Sequence, residues 1–246
     1  MEIKPNEIYL GSCYDLIKEM ADNSVDCIYT DVPYDYGYQS RDINENASSV
    51  NKRICKMREA LLADNIANGF DFAILDDFVR VMKKINIFIW CSKQQILPLM
   101  KYFIEEKGCV FEILTWNKTN PAPMTSNTWL SDIEYCLYFR ENGVKLNDGY
   151  ELKSKWFTDK CNKVDKDKFE HPTIKPEQLV ERHLKHATQP NDIIFDPFLG
   201  SGTTAVAAKN TGRRYIGMEI LEKYYKIASD RLNNTEASGQ MTMFTF

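Results

Sequence analysis

Asp196-Pro197-Phe198-Leu199-Gly200-Ser201-Gly202-Thr203-Thr204 is the stretch on which the fold turns. Before it, residues 191–195 (Asn-Asp-Ile-Ile-Phe) read as a short buried strand; after it, residues 203–210 are small and helix-tolerant. A strand that runs through Gly-x-Gly into a helix is how an open α/β sheet holds a nucleotide or nucleoside. Gly200 and Gly202 let the chain turn tightly and bring backbone against a ligand with no Cβ in the way. The unpaired N–H groups of the following helical turn face the same spot. Residues 213–220 (Arg-Arg-Tyr-Ile-Gly-Met-Glu-Ile) read as the next strand, with Glu219 at its end, 19 residues beyond Gly200. That is the spacing of an acid that binds ribose hydroxyls. On these residues alone, an ordinary β-turn-α with an acidic cap reads the same way.

A second strand, residues 25–30 (Val-Asp-Cys-Ile-Tyr-Thr), ends in Asp31-Val32-Pro33-Tyr34. Asp-Val-Pro-Tyr resembles the Asp-Pro-Pro-Tyr motif of amino-group DNA methyltransferases that use S-adenosylmethionine. His171-Pro172-Thr173-Ile174-Lys175-Pro176, followed by Asp196 to Gly202, is similar to that family's cofactor half. Here the catalytic motif precedes the cofactor motif, an order that resembles the permuted β group. The resemblance covers nearly the whole chain except about residues 40–70, 143–168 and the tail.

The resemblance implies an α/β fold: a three-layer α/β/α Rossmann-like domain, circularly permuted, with a mixed, mostly parallel sheet and an antiparallel hairpin at one edge. It also implies S-adenosylmethionine as cofactor and double-stranded DNA as substrate. Asp31, Val32, Pro33 and Tyr34 are then the catalytic residues. The cofactor residues are Asp196, Phe198, Gly200, Ser201, Gly202, Thr203 and Glu219, joined by His171, Thr173 and Lys175, with Lys175 toward the methionine end. Family members carry Gly-Asp where this chain has Gly11-Ser12, which makes Ser12 the candidate contact to the cofactor's adenine.

The chain has 246 residues, enough to bury a core as one domain, residues 1–246, with small excursions. It is 43% hydrophobic and 12% aromatic, a globular rather than disordered composition. The net charge of −4 is unlike the basic balance of many nucleic-acid proteins, but local patches rather than totals set phosphate binding. Seven cysteines contain no Cys-x-x-Cys pair and several lie in apolar runs. They read as reduced, buried thiols in a cytoplasmic protein. The first residues carry no apolar core of a signal peptide, and no stretch is long enough to span a membrane. His183 and His186 stand one helical turn apart without a third ligand nearby; they read as surface residues, and no metal site is expected.

Taken in order, residues 8–10 read as a strand and residues 14–20 as a helix. Residues 37–65 are polar and then basic, with Lys52, Arg53, Lys56 and Arg58. A segment this long is functional or mobile: either a solvated helix face or a DNA-contacting flap that leaves directly from Tyr34. Leu75, Phe78, Val79 and Met82 recur at helical spacing. Residues 85–90 read as a buried strand, and residues 93–106 as a helix that Pro98 kinks. Residues 110–116 and 132–139 read as an antiparallel pair joined by a proline-containing loop. The lysine-rich residues 143–170, with Lys153 and Lys155, sit where the family places target recognition; a solvated excursion is the plainer reading. Residues 177–187 and 221–232 read as helices. The order of the motifs makes residues 8–10 the strand missing after the last helix, puts the Asp31 and Asp196 strands side by side at the sheet's centre, and opens Asp31 and Gly200 on one carboxyl edge.

An exocyclic amine is a poor nucleophile because its lone pair is delocalised into the ring. A site that accepts its hydrogens and holds it in line with an electrophilic methyl supplies what the reaction needs. Asp31 can accept one hydrogen and the Val32 carbonyl the other, Pro33 fixes the turn, and Tyr34 offers a ring for a flipped base. Cytosine-N4 enzymes resembling this one carry Ser in place of Asp31, so adenine is favoured. Enzymes acting on RNA or on protein glutamine carry Asn there and place the cofactor motif first. Val32 and Ser12 are the departures that would suit a DNA-binding relic.

Residues 234–246 read as a flexible tail. Within it Gln240-Met241-Thr242-Met243-Phe244 resembles the Gln-Leu-x-Leu-Phe peptide by which bacterial replication proteins bind the sliding clamp; a final edge strand is the other reading. A monomer or a homodimer is compatible with the sequence.

Overall fold

The computed structural model describes residues 2–35, 68–121, 129–160 and 174–239, with side chains through Thr235. His171, Thr173, the clamp-like Gln240–Phe244 peptide and the whole 37–65 segment, with Lys52, Arg53, Lys56 and Arg58, lie outside the described residues.

Eight strands form one sheet among the described residues: β1 (Glu7–Leu10), β2 (Cys27–Asp31), β3 (Asn86–Cys91), β4 (Val110–Lys118), β5 (Ile133–Arg140), β6 (Trp156–Asp159), β7 (Ile193–Asp196) and β8 (Arg214–Glu219), in the order β1-β8-β7-β2-β3-β5-β4-β6. Of these only β5 runs against the rest. The Asp31 and Asp196 strands are neighbours, with Cys27 beside Ile194 and Ile28 beside Phe195. β1 pairs with β8, setting Leu10 beside Glu219.

Alternation along the strands sends side chains to two cores. Ile28, Ile87, Ile89, Leu137, Phe139 and Phe195 pack under α1 (Cys13–Leu16), α2 (Ile74–Val81) and α3 (Lys93–Met100). Tyr29, Phe88, Trp90, Cys136, Tyr138 and Ile194 pack under α4 (Glu177–Ala187), α5 (Thr203–Asn210) and α6 (Glu222–Gly239). The result is the expected three-layer α/β/α arrangement. The helix after β2 covers one face and the helix after β7 the other, so the chain direction switches between these two neighbours. In open α/β sheets the crevice at the carboxyl ends of such a pair is where ligands bind.

Several local expectations are corrected. The first helix is short: Cys13–Leu16 gives way to a 3-10 turn, Ile17–Glu19, whose end is tied down by the Arg80 guanidinium on the Ile17 and Met20 carbonyls, both at 2.8 Å. The helix holding Pro98 is α-helical to Met100 and then widens into a π-helical stretch, Lys101–Glu106; proline supplies no N–H to the preceding turn. The last helix runs on to Gly239 rather than ending at Leu232, with the Thr235 hydroxyl bonded back to the Arg231 carbonyl at 2.8 Å. Within residues 143–170, Trp156–Asp159 is a strand, β6, which pairs in parallel with β4 and lies outside the β4–β5 hairpin. His183 is not a surface residue: it is 4% exposed, stacked on Phe88 and hydrogen-bonded to Tyr29 Oη at 3.1 Å, and burial holds its imidazole down to about 3. The other helical neighbours on that face are apolar, a signal too weak to separate a core histidine from a surface one. Cys13, Cys27, Cys91, Cys109 and Cys136 are buried free thiols. No helix among the described residues is long and apolar enough to cross a membrane.

Candidate active site

The carboxyl ends of β1, β8, β7, β2, β3 and β4 share one edge, and the candidate residues gather along it. On the β7–β8 side, Asp196 ends β7, and its Oδ1 accepts from the Phe198 N–H at 3.1 Å. Burial pushes the Asp196 carboxyl up to about 7. Gly200 has φ 53° and Gly202 φ 85°, so the turn uses the left-handed region twice. Gly202 owes its identity to packing as well: a Cβ there would lie 2.8 Å from Ala228 Cβ on α6. Gly202 therefore faces α6, and that packing leaves no room for a side chain.

Glu219 ends β8 and is already engaged. One oxygen accepts from Gly200 N–H and the other from Leu221 N–H, both at 2.8 Å. A carboxylate held in place by two backbone amides is fixed in orientation at this edge. The Ser201 and Thr203 hydroxyls are held from behind: buried Arg231 of α6 reaches Ser201 O at 2.7 Å, Ser201 Oγ at 3.1 Å and Thr203 Oγ1 at 3.2 Å, while its other nitrogen meets Glu177 at 2.5 Å. Both hydroxyls accept from this guanidinium, which ties the loop to α6. Ser12 caps α1 just past β1, and the neighbouring Gly11 N–H donates to the Glu219 carbonyl at 2.8 Å. Phe198 meets Tyr14 and Phe70 edge-on, with centroids 6.4 and 6.2 Å apart. A glycine turn, an acid at the end of the next strand and an aromatic wall on one sheet edge fit an adenosine-bearing cofactor.

On the β2 side, Asp31 stands at the strand's end with its side chain 28% exposed. Lys175 Nζ lies 2.5 Å from Asp31 Oδ2 and 3.0 Å from Glu134 Oε2, with Tyr34 Oη at 3.4 Å. Lys118 Nζ closes the cluster on Glu134 Oε1 at 2.5 Å. Lys175 is 6% exposed and also rests over the rings of Trp90 and Tyr34, 5.2 and 5.5 Å from their centroids. Asp31 Oδ1, by contrast, is shielded from solvent and has no hydrogen-bond partner. A buried acceptor left unmet is costly and asks for a donor. Burial raises the Asp31 carboxyl above its ordinary range against the pull of Lys175, and Glu134 adds to the rise. Glu134 itself is held down to about 2, because the two lysines outweigh its burial. The Pro33 carbonyl accepts from Gln95 Nε2 at 2.9 Å, which fixes the turn after Asp31. Val32 is buried and its N–H donates to the Trp90 carbonyl at 3.3 Å.

Lys175 thus sits against the Asp31 carboxylate, a contact the sequence reading did not anticipate. Lys153 is paired with Asp148 at 3.0 Å and Lys155 with Glu112, so neither presents an unpaired charge. Glu134, Lys118, Gln95 and Arg231 escaped the sequence reading. For Glu134 a signal existed: it alternates with Cys136 and Tyr138 on a buried face, where a lone carboxylate needs a partner. Among the described residues no group of three or more His, Cys, Asp or Glu side chains is placed to hold a metal ion.

A family model described as DNA methylase (N6_N4_Mtase) matches residues 25–230. The type II methyltransferase M2.LlaDCHI of Lactococcus lactis subsp. cremoris is 38% identical over 177 residues, 65% of this chain and 65% of that protein. The chain therefore spans a little under two thirds of that relative's length. The type II methyltransferase M2.MboI of Moraxella bovis is 31% identical over 245 residues, 91% of this chain and 86% of that protein. Among solved structures, M1.HpyAVI in complex with SAM superposes with a TM-score of 0.68 at 26% identity, covering 92% of this chain and 98% of that one.

Proposed function

The chain belongs to the DNA methylase family of amino-group methyltransferases, and from that premise we propose that it transfers a methyl group from S-adenosylmethionine to the N6 amino group of adenine in double-stranded DNA. The carrying observation is Asp31 Oδ1, a shielded acceptor with no partner at the carboxyl end of β2, one strand away from the Gly200 loop. The order of motifs, with β1 completing the sheet beside β8, supports the permuted form of the fold.

When bound, S-adenosylmethionine supplies a methyl on a sulfonium, electrophilic enough that no covalent enzyme intermediate is needed. Phe198, Gly200, Glu219 and Ser12 are the residues that would hold it. Asp31 accepts one amino hydrogen of the flipped base and the Val32 carbonyl the other, which localises the nitrogen lone pair and stabilises the positive charge that develops. With the methyl supplied by the bound cofactor, which would leave as the neutral thioether, the surplus amino proton of the base would pass to the Asp31 carboxylate. Tyr34 supplies a ring face for the extruded base. Asp at position 31, where the family's cytosine enzymes resemble each other in carrying Ser, favours adenine over the cytosine N4 reading.

The test is transfer of tritiated methyl from S-adenosylmethionine to duplex DNA, followed by nucleoside analysis. N6-methyladenine is the expected product; label found in cytosine alone, or in RNA alone, overturns the assignment.

A further inference from the structure

We propose that Lys175 is a positioning residue for Asp31, and that Glu134 tunes it by taking a share of its charge. The inference rests on the reading of Asp31 as the amine's acceptor. Three observations carry it. Lys175 is buried and touches Asp31 and Glu134 at once, so its side chain has one available geometry. Its contact falls on Asp31 Oδ2 and leaves Oδ1 unmet, which makes the two oxygens of one carboxylate unequal. And Glu134 is itself anchored by Lys118, so the cluster of two carboxylates and two ammonium groups sums to zero charge inside the fold.

That balance has a consequence for the base. A carboxylate whose two oxygens both carried an ammonium would be a weak acceptor; one with no cation beside it would keep its proton to higher pH and, while protonated, could not take up another. Lys175 bonded to one oxygen keeps Asp31 ionised and fixes its rotation, and Glu134 on the far side keeps Lys175 from neutralising it outright. The groups facing Asp31 are Lys175 from the segment before α4, Glu134 and Cys136 from β5, Tyr34 from the following turn, Cys91 from β3, Asp196 from β7 and Tyr29 from β2. Lys175 is the cation among these, so the sign of its removal is unambiguous. Losing Lys175 raises the pH at which Asp31 ionises; losing the Glu134 charge lowers it.

The experiment compares wild type, Lys175→Met and Glu134→Gln in three measurements: S-adenosylmethionine affinity by calorimetry, single-turnover methylation of adenine in duplex DNA across pH, and titration of the Asp31 carboxyl carbon by 13C NMR in the free protein. For Lys175→Met we expect cofactor affinity within about threefold of wild type, a single-turnover rate at neutral pH lower by about 100-fold, and an acidic limb moved to higher pH. For Glu134→Gln, a near-isosteric change, the acidic limb moves the opposite way and the rate falls by about tenfold at most. A structural role alone would not give opposed shifts. Weakened cofactor binding in Lys175→Met with the Asp31 titration unmoved overturns the inference and returns Lys175 to the cofactor. Should Lys175→Met fail to fold, an unmoved Asp31 titration in Glu134→Gln overturns it by itself. A wild-type protein that methylates no adenine refutes the functional reading instead, and the NMR titration then still decides whether Lys175 and Glu134 govern Asp31.

Discussion

On the β7–β8 side of the cleft, the carboxylates accept from backbone amides, Glu219 from Gly200 and Leu221 and Asp196 from Phe198, and the Arg231 guanidinium meets the loop carbonyl at Ser201. On the β2–β5 side, side-chain charges satisfy one another: Asp31, Lys175, Glu134 and Lys118 in a row, with one oxygen over. The first kind of construction holds a shape through fixed backbone donors. The second is adjustable, because each member's charge depends on its neighbours. A site that must grip one cofactor firmly and then accept protons from a base has use for both.

The sharpest way to break this contrast is Asp31→Ala. Removing the acceptor should lower the single-turnover rate by about 1,000-fold while S-adenosylmethionine affinity stays within about twofold, read by rapid quench and calorimetry. Near-normal turnover would place the chemistry elsewhere. Glu219→Ala is the mirror experiment. It removes ribose acceptors and frees the Gly200 amide, so the cofactor dissociation constant should rise about 10- to 100-fold, with the rate at saturating cofactor nearly kept; an unchanged constant would remove Glu219 from the cofactor site. The smallest effect is expected at the rim. Lys155 and Glu112 are an exposed pair, and such pairs contribute about 0.5 kcal/mol or less. Lys155→Ala should leave the melting temperature nearly unchanged and duplex affinity within about twofold at 0.1 M salt. A larger loss of affinity with a steep salt dependence would mean that the pair opens to meet phosphate.

How far the site could be read in advance follows the same division. The β7–β8 half was legible because its parts are close in sequence: strand, glycine turn, helix and acid all fall between Ile193 and Glu219, and local spacing carries the geometry. The neighbourhood of β2 and β7 was legible from motif order. The Asp31 cluster was not, because Lys175 and Glu134 reach Asp31 from 144 and 103 positions away, and no local pattern reports which lysine meets which carboxylate. Among the elements, β6 was missed because four residues within a lysine-rich run alternate too briefly to stand out. The early end of α1 was missed because it is set by Arg80, some 60 residues downstream.

The strand order also dictates a timetable. β2 finds β3 and then the β4–β5 hairpin early as the chain emerges, but its other neighbour, β7, is made about 160 residues later, and β1 waits for β8 longer still. Until then the nascent half-sheet shows a bare, apolar edge at β2, whose first four residues are fully buried in the finished fold. Pairings of such long range are slow to form, and an open strand edge is a template for the wrong neighbour. The cleft between β2 and β7 thus closes late, ahead only of the β1–β8 seam, so aggregation during synthesis and acquisition of the site compete for the same strand edge.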